Sequence, residues 1–360
     1  MSDRAEILER LKGDSKFLLT THENPDGDAL GSLVAMNAIL QELGKDTVMF
    51  MRETEFPLPY EYRYLLAEDG AIHFEPADLA ERTVVYLDCG SFERMKVDFL
   101  KSDDLTLINI DHHHDNTKFG DLNMVESTRS STAEIVYTIA KELGVELSPF
   151  VADALYVGLV TDTGRFMYQN TGPLAHEMAA DLLRSGVDVH AAYTRLYEDQ
   201  PAGKVELLGR ALSRLQRYDG GLLSIVNLTK ADFDETSSEE TYTEGIVDFA
   251  RAIAGTAVGA MYRQLTGDGR EHLAKISLRS SDNRVDVSAI ARSFNGGGHK
   301  QAAGATTDKT YEEAIELIRE GIQAQLGDRQ TTAARSTRSL PWNKAVRSSA
   351  GSCWSTNRRG

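Results

Sequence analysis

Three apolar runs along the chain break off in residues able to bind a metal. Phe17-Leu18-Leu19-Thr20-Thr21 runs into His22, Thr83-Val84-Val85-Tyr86-Leu87 into Asp88, and Leu105 to Ile110 into Asp111-His112-His113-His114. Short unbroken apolar runs of this kind predict strands buried on both faces. Between them lie helical patterns: an amphipathic stretch over 3–12, a helix opening after His22-Glu23-Asn24-Pro25-Asp26-Gly27-Asp28 and running to about Leu43, and helices near 131–143 and 150–160. A further strand is expected at Thr47–Met51. Alternating β and α segments predict an α/β domain with a mostly parallel sheet covered on both faces. Polar residues at the carboxyl ends of such strands stand where open α/β sheets bind ligands.

The pattern then changes. Helical periodicity fills 173–216, with the domain connection placed at 189–218. Strands are expected at 221–227, 256–265 and 272–280, and helices near 243–254, 286–293 and 310–326, with Gly296-Gly297-Gly298-His299 between the last two. This second unit reads as a smaller α+β domain. The resulting division is 1–188 for the first domain, 189–218 for a helical linker and 219–327 for the second domain. Residues 328–360 hold Ser, Thr, Arg and Gly without usable periodicity and read as a disordered basic tail, open to being non-native sequence.

Charge and composition narrow the partners. The formal net charge of the 360 residues is −16, but seven Lys or Arg and no Asp or Glu follow Asp328, so residues 1–328 carry −23. Such a surface disfavours tight binding of a long polyanion, long duplex DNA included. No apolar run reaches the ~20 residues of a membrane-spanning helix, and the charged start of the chain does not resemble a secretory signal. With two cysteines, Cys89 and Cys353, no disulfide framework is implied, and the cytoplasm is the expected compartment.

Asp26 and Asp28 flank Gly27, and two carboxylates forced together repel unless a cation lies between them. His22, Asp88, the Asp111-His112-His113 cluster and Asp162, placed in a loop after a helix, add further carboxylates and imidazoles without a thiolate. This donor set suits Mn²⁺ or Mg²⁺ better than structural zinc. It is also too rich for one ion with open positions, and points to two metals sharing a carboxylate.

These motifs resemble those of the DHH phosphoesterases with an attached DHHA1 domain: His22 to Asp28, Leu87-Asp88-Cys89-Gly90, Asp111-His112-His113, Gly158-Leu159-Val160-Thr161-Asp162-Thr163-Gly164, and Gly296 to Gly304. They occur in the family's order over about residues 10–326, and size makes the chain similar to the branch that degrades nanoRNA and dephosphorylates 3′-phosphoadenosine-5′-phosphate (pAp). The resemblance implies that His22, Asp26 and Asp88 hold one metal and Asp28, Asp88, His112 and Asp162 the other. Asp111 would orient a ligating imidazole, and His113 would face the scissile phosphate. In the second domain, Gly297, Gly298 and His299 would approach substrate and Arg279 would grip a terminal phosphate across an active-site cleft.

The implied activity is two-metal, Mn²⁺-dependent hydrolysis of short 5′-phosphorylated RNA or DNA strands to mononucleotides and of pAp to AMP. Rival readings are a cyclic-dinucleotide phosphodiesterase, an exonuclease like RecJ, an inorganic pyrophosphatase, which Gly296 to Gly304 argues against, and a nucleotide sensor without turnover. Oligomeric state is left open, a homodimer included. Other residues carry blander readings: His114 a surface imidazole, Cys89 a small buried residue, Ser131-Thr132-Ala133-Glu134 a capping box, and Arg284, Arg292 and Lys300 surface charges.

Overall fold

The computed structural model describes residues 3–66, 72–74, 78–95, 97–100, 104–267, 269–298 and 300–327. His299 and the basic tail lie outside the described residues. The elements run α1 (Asp3–Gly13), β1 (Lys16–Thr20), α2 (Gly27–Glu42), β2 (Asp46–Phe50), β3 (Ile72–His73), β4 (Thr83–Leu87), β5 (Leu107–Asp111), β6 (Leu122–Val125), α3 (Thr132–Leu143), α4 (Pro149–Asp162), α5 (Pro173–Arg184), α6 (Val189–Tyr193) and α7 (Ala202–Ser213). They continue as β7 (Gln216–Tyr218), β8 (Leu223–Leu228), α8 (Lys230–Thr236), α9 (Ile246–Arg251), β9 (Val258–Gln264), β10 (Ala274–Ser280), α10 (Val287–Arg292), β11 (Gly297–Gly298), β12 (Ala302–Thr307) and α11 (Tyr311–Leu326). Among the described residues two compact units result, one running to Arg214 and taking in Leu228–Ile246 and 265–267, the other holding Leu215–Asn227, Val247–Gln264 and 269–327.

The first unit is built on a six-stranded sheet of order β3-β2-β1-β4-β5-β6 in which each pair is parallel. Every residue of β4 and β5 is buried, which is why those segments read as unbroken apolar runs. Side chains alternate between the faces. Phe17, Leu19, Val85, Leu87, Ile108 and Ile110 join the core formed with α2, α3 and α4. Leu18, Val84, Tyr86 and Leu107 pack on the opposite side against Phe92, Met95 and Leu100, which stand on 3₁₀ turns. Both faces are thus covered, one by helices and the other by short turns.

Local signals set the helix ends. Asp26 caps α2 with a side chain that accepts the N–H groups of Asp28 and Ala29. Ser148 caps α4, whose first position is Pro149, and Gly144 ends α3 in the left-handed region at φ 72°. Ser131 Oγ accepts the N–H of Glu134 at 3.2 Å. The expected capping box is nevertheless incomplete, because the Glu134 carboxylate takes the N–H and hydroxyl of Ser130 instead.

The second unit carries a sheet of order β11-β12-β10-β9-β8-β7, antiparallel at β7–β8, β9–β10, β10–β12 and β11–β12. Val258, Ala260, Ile276, Leu278, Ala303 and Ala305 face Ile290, Ile315, Ile318 and Ile322 of α10 and α11. The chain is therefore an α/β domain with a mostly parallel sheet plus an α+β domain. No helix among the described residues is long and apolar enough to cross a membrane.

Candidate metal centre

The order of the first sheet reverses between β1 and β4, and a crevice opens at the carboxyl ends of strands at such a point. His22 lies two residues past β1, Asp88 directly past β4, and Asp111 closes β5 with His112 and His113 behind it. The amino end of α2 adds Asp26 and Asp28. Asp162 is the last residue of α4, so it stands in a helical turn rather than in the loop expected for it. Two helix ends and three strand ends converge.

Two imidazoles are aimed by main-chain carbonyls. His22 Nδ1 donates to Glu23 O at 2.8 Å, and His112 Nδ1 faces Arg129 O at 3.4 Å. Each Nε2 is thereby turned toward carboxylates. His22 Nε2 lies 3.5 Å from Asp88 Oδ2. His112 Nε2 lies 3.6 Å from Asp88 Oδ1, 3.5 Å from Asp162 Oδ2 and 3.8 Å from Asp28 Oδ2. These separations are too long for good hydrogen bonds. They match donors sharing one ion, since two ligands each about 2.1 Å from a cation stand about 3–3.5 Å apart. Two groups of donors emerge, His22 with Asp26 and Asp88, and Asp28 with His112 and Asp162. Asp88 directs one oxygen toward each. A third grouping, Asp88 with His112 and His113, overlaps both.

Asp88 is held in an unusual way. Its backbone is left-handed at φ 56°, a region that Asp and Asn enter more readily than other residues with a side chain. The Thr132 hydroxyl donates to Asp88 Oδ1 at 2.9 Å. Asp28 is gripped by the start of α3, with Thr132 N–H on Oδ2 at 2.6 Å and Ala133 N–H on Oδ1 at 2.9 Å. Those two N–H groups of the helix terminus are therefore committed to a carboxylate of the protein and not to an incoming phosphate. Gly158 on α4 makes the approach feasible: a Cβ there would lie 2.8 Å from Asp28 Oδ1 and 2.7 Å from Ala133 Cβ.

The charges do not balance without a cation. Burial beside Asp88 and Asp162 pushes the Asp28 carboxyl well above its usual range. Burial also raises Asp162, to about 7, with Asp26 and Asp88 adding to it and His112 opposing. For His112 burial works against the charge, but Asp162, Asp88 and Asp28 outweigh it and lift the imidazole to about 10. Burial opposes ionisation of Asp88 as well, yet His22, His113 and His112 hold it well below the carboxylate range. The protein retains protons where a divalent ion would supply the positive charge.

Comparison with known proteins identifies the scaffold. The DHH family N-terminal domain matches residues 16–159, and the DHHA1 domain matches residues 237–328. A bifunctional oligoribonuclease and PAP phosphatase NrnA of Thermus thermophilus is 33% identical over 328 residues, covering 88% of this chain and 93% of its own. The chain belongs to the DHH family. The NrnA of Bacillus subtilis is 27% identical over 320 residues, spanning 88% of this chain and 96% of its own. An exopolyphosphatase-related protein from Bacteroides fragilis shares the fold at a TM-score of 0.80 and 23% identity, over 89% of this chain and 96% of that one. DHH phosphoesterases are hydrolases, and this chain is an enzyme of that class.

Within the DHH domain, Asp111 is fully buried and sits 2.6 Å from His113 Nδ1 through Oδ1. His114 is exposed. Cys89 is buried and its thiol is pushed up to about 12 by that burial, as befits an inert packing residue. In the DHHA1 domain Arg279 is half-buried, the penultimate residue of β10 between Gly259 and Ala302, with one guanidinium N–H on its neighbour Leu278's carbonyl at 3.2 Å. Gly297 and Gly298 form the edge strand β11, and Gly298, at φ 133°, has no room for a Cβ beside Ala302 O and Ala303. Arg284 is paired with Asp282, and Arg292 donates to Ser288.

Thr132, Asn109 and Asn116 were not legible as site residues. Thr132 was hidden by its second duty at a helix start, and the two asparagines resemble ordinary loop or strand polar residues.

Proposed function

We propose that this chain is a two-metal phosphoesterase, using Mn²⁺, that hydrolyses short 5′-phosphorylated oligonucleotides to mononucleotides and pAp to AMP. The observation that carries the reading is Asp88, whose two oxygens stand 3.5 and 3.6 Å from imidazole nitrogens of two separate donor groups. His22, Asp26 and Asp88 would hold one ion, and Asp28, Asp88, His112 and Asp162 the other. Such a pair of ions, when bound, activates water near neutral pH and neutralises charge on the phosphoryl oxygens.

The remaining steps belong to the chain's own groups. His113, with Nδ1 against Asp111, would present Nε2 to the reacting phosphate and exchange a proton there. Arg279 would pair with a terminal phosphate, which its planar fork suits, while the N–H groups of Gly297 and Gly298, with His299, would contact substrate. The substrate class is supported by the Thermus and Bacillus relatives, both named for oligoribonuclease and PAP phosphatase activity.

The test is a panel with Mn²⁺: pAp, a 5′-phosphorylated dinucleotide, a cyclic dinucleotide, pyrophosphate and a long single strand. Turnover of the first two, well above the rest, is expected. Preference for pyrophosphate or the cyclic dinucleotide would overturn the reading.

A further inference from the structure

Behind the candidate metal centre lies a second polar array that no proposed ligand accounts for. It consists of Asn109, Asp111 and Asn116 with the carbonyl of Cys89. Asn109 and Asp111 are two apart on β5 and both fully buried, so they share one face of the strand. Asn109 Nδ2 donates to Cys89 O at 3.0 Å. Its Oδ1 must then be the acceptor for Asn116 Nδ2, which lies 2.7 Å away. Asn116 Nδ2 also reaches Asp111 Oδ2 at 2.5 Å and Cys89 O at 3.2 Å. Asn116 Oδ1 accepts the N–H of Lys118 at 2.6 Å. Turning the Asn116 amide over would set its oxygen against three acceptors, so the orientation is fixed.

The array has a single polarity. Donors run from Lys118 through Asn116 to Asp111, and an ionised Asp111 only accepts. Its remaining oxygen, Oδ1, is the one 2.6 Å from His113 Nδ1. That nitrogen therefore carries the proton, and the lone pair of the neutral ring falls on Nε2. A carboxylate fixed on one side by an amide holds its other oxygen in line with Nδ1, whereas without that amide it can turn away and its preference for the Nδ1–H form weakens.

We infer that Asn116 is a positioning residue: by holding Asp111 Oδ2 it locks His113 in the Nδ1–H tautomer and so determines which ring nitrogen meets the reacting phosphate. The effect on rate rests on the phosphoesterase reading; the tautomer does not.

Two substitutions separate this role from mere loop support. Asn116→Asp keeps the acceptor for Lys118 N–H and removes the donor to Asp111. Asn116→Ala removes both. Ring ¹⁵N–¹H spectra of the metal-free protein, at an alkaline pH where the His113 ring is neutral, read the tautomer directly. Wild type should show the proton on Nδ1 alone, and both variants a mixture or the Nε2–H form. With Mn²⁺ and pAp, both variants should lose kcat by about 10- to 100-fold, with KM and metals bound per chain unchanged. Asn116→Ser, which retains a short donor, should recover part of the rate. A purely structural role predicts lowered melting temperatures for both variants, with the Nδ1–H tautomer and kcat of the folded protein unchanged. That pattern, an unchanged Nδ1–H tautomer in both variants, or a rate loss matched by loss of metal, would overturn the inference.

Discussion

The Thr132 hydroxyl donates to Asp88 Oδ1 at 2.9 Å while the N–H of the same residue holds Asp28 Oδ2 at 2.6 Å. One residue thus orients carboxylates from two donor groups. Thr132→Val keeps the N–H and the shape but leaves Asp88 without its hydroxyl partner. Metal affinity or activity should fall by about 10- to 100-fold, as for other residues that orient ligands, and Thr132→Ser should restore most of it. Calorimetric Mn²⁺ titration checks the prediction, and equal affinities for Val and Thr would refute it.

Asp88→Asn should fold, because asparagine tolerates the left-handed backbone at φ 56°. It should nevertheless abolish turnover and lower the metal content per chain, since a neutral amide cannot bridge two cations. Elemental analysis with circular dichroism distinguishes this from misfolding. Asp88→Ala should be less stable than the Asn variant, by about 1–2 kcal/mol of backbone strain.

The protons held at the site make metal-free stability fall as pH rises. Asp162, at about 7 in the folded chain, sits above the ~3.9 of an unfolded aspartate. The folded state therefore binds the extra proton, and stability drops between those values. His112 is lifted to about 10 from an unfolded value near 6.5, so its contribution is complete below that unfolded value and disappears as pH rises through 10. Melting temperatures in EDTA should decline from pH 5 to pH 9. Added Mn²⁺ should oppose the decline and release protons on binding, measurable by calorimetry in buffers of different ionisation heat. A flat profile in EDTA would contradict these assignments.

Gly158→Ala places a methyl within 2.8 Å of Asp28 Oδ1 and 2.7 Å of Ala133 Cβ. Overpacking of that kind costs about 1–3 kcal/mol. Here it should also displace a carboxylate of the second donor group, so weakened Mn²⁺ binding should accompany the lower melting temperature. An unaffected metal isotherm would show that Asp28 is not constrained by α4.

Arg279→Ala should harm substrates bearing a terminal phosphate by about 2–5 kcal/mol, the usual loss when a buried charge pair is broken, and those lacking it much less. The comparison is kcat/KM with and without the 5′-phosphate. Equal losses would remove Arg279 from phosphate recognition.

The strands that position the site were legible because burial on both faces demands unbroken apolar runs: β1, β4 and β5 coincide with them to within two residues at each end. Other elements left no such trace. Ala302–Thr307 forms β12 from small residues and threonine, with no apolar alternation to mark a strand. β3 and β6 are two and four residues long and take their pairing from neighbours. Asp162 was misplaced because the polar turn after Val160 resembles a helix end, whereas hydrogen bonding carries α4 two residues further. Thr132 and Asn116 act through geometry between segments far apart in the chain, which periodicity cannot encode.

Asp28 has a bearing on how activity is to be judged across a lineage. Both of its oxygens satisfy main-chain donors at the start of α3, and its side chain is packed against Gly158. A descendant that abandoned hydrolysis would still use that aspartate, beside Ser131, to satisfy the first N–H groups of the helix. Asp26 is exposed, and its capping of α2 can be taken over by serine, threonine or asparagine at little cost. Decay of catalysis should therefore erase Asp26 well before Asp28, and a retained Asp28 by itself says little about whether a homologue still turns over substrate.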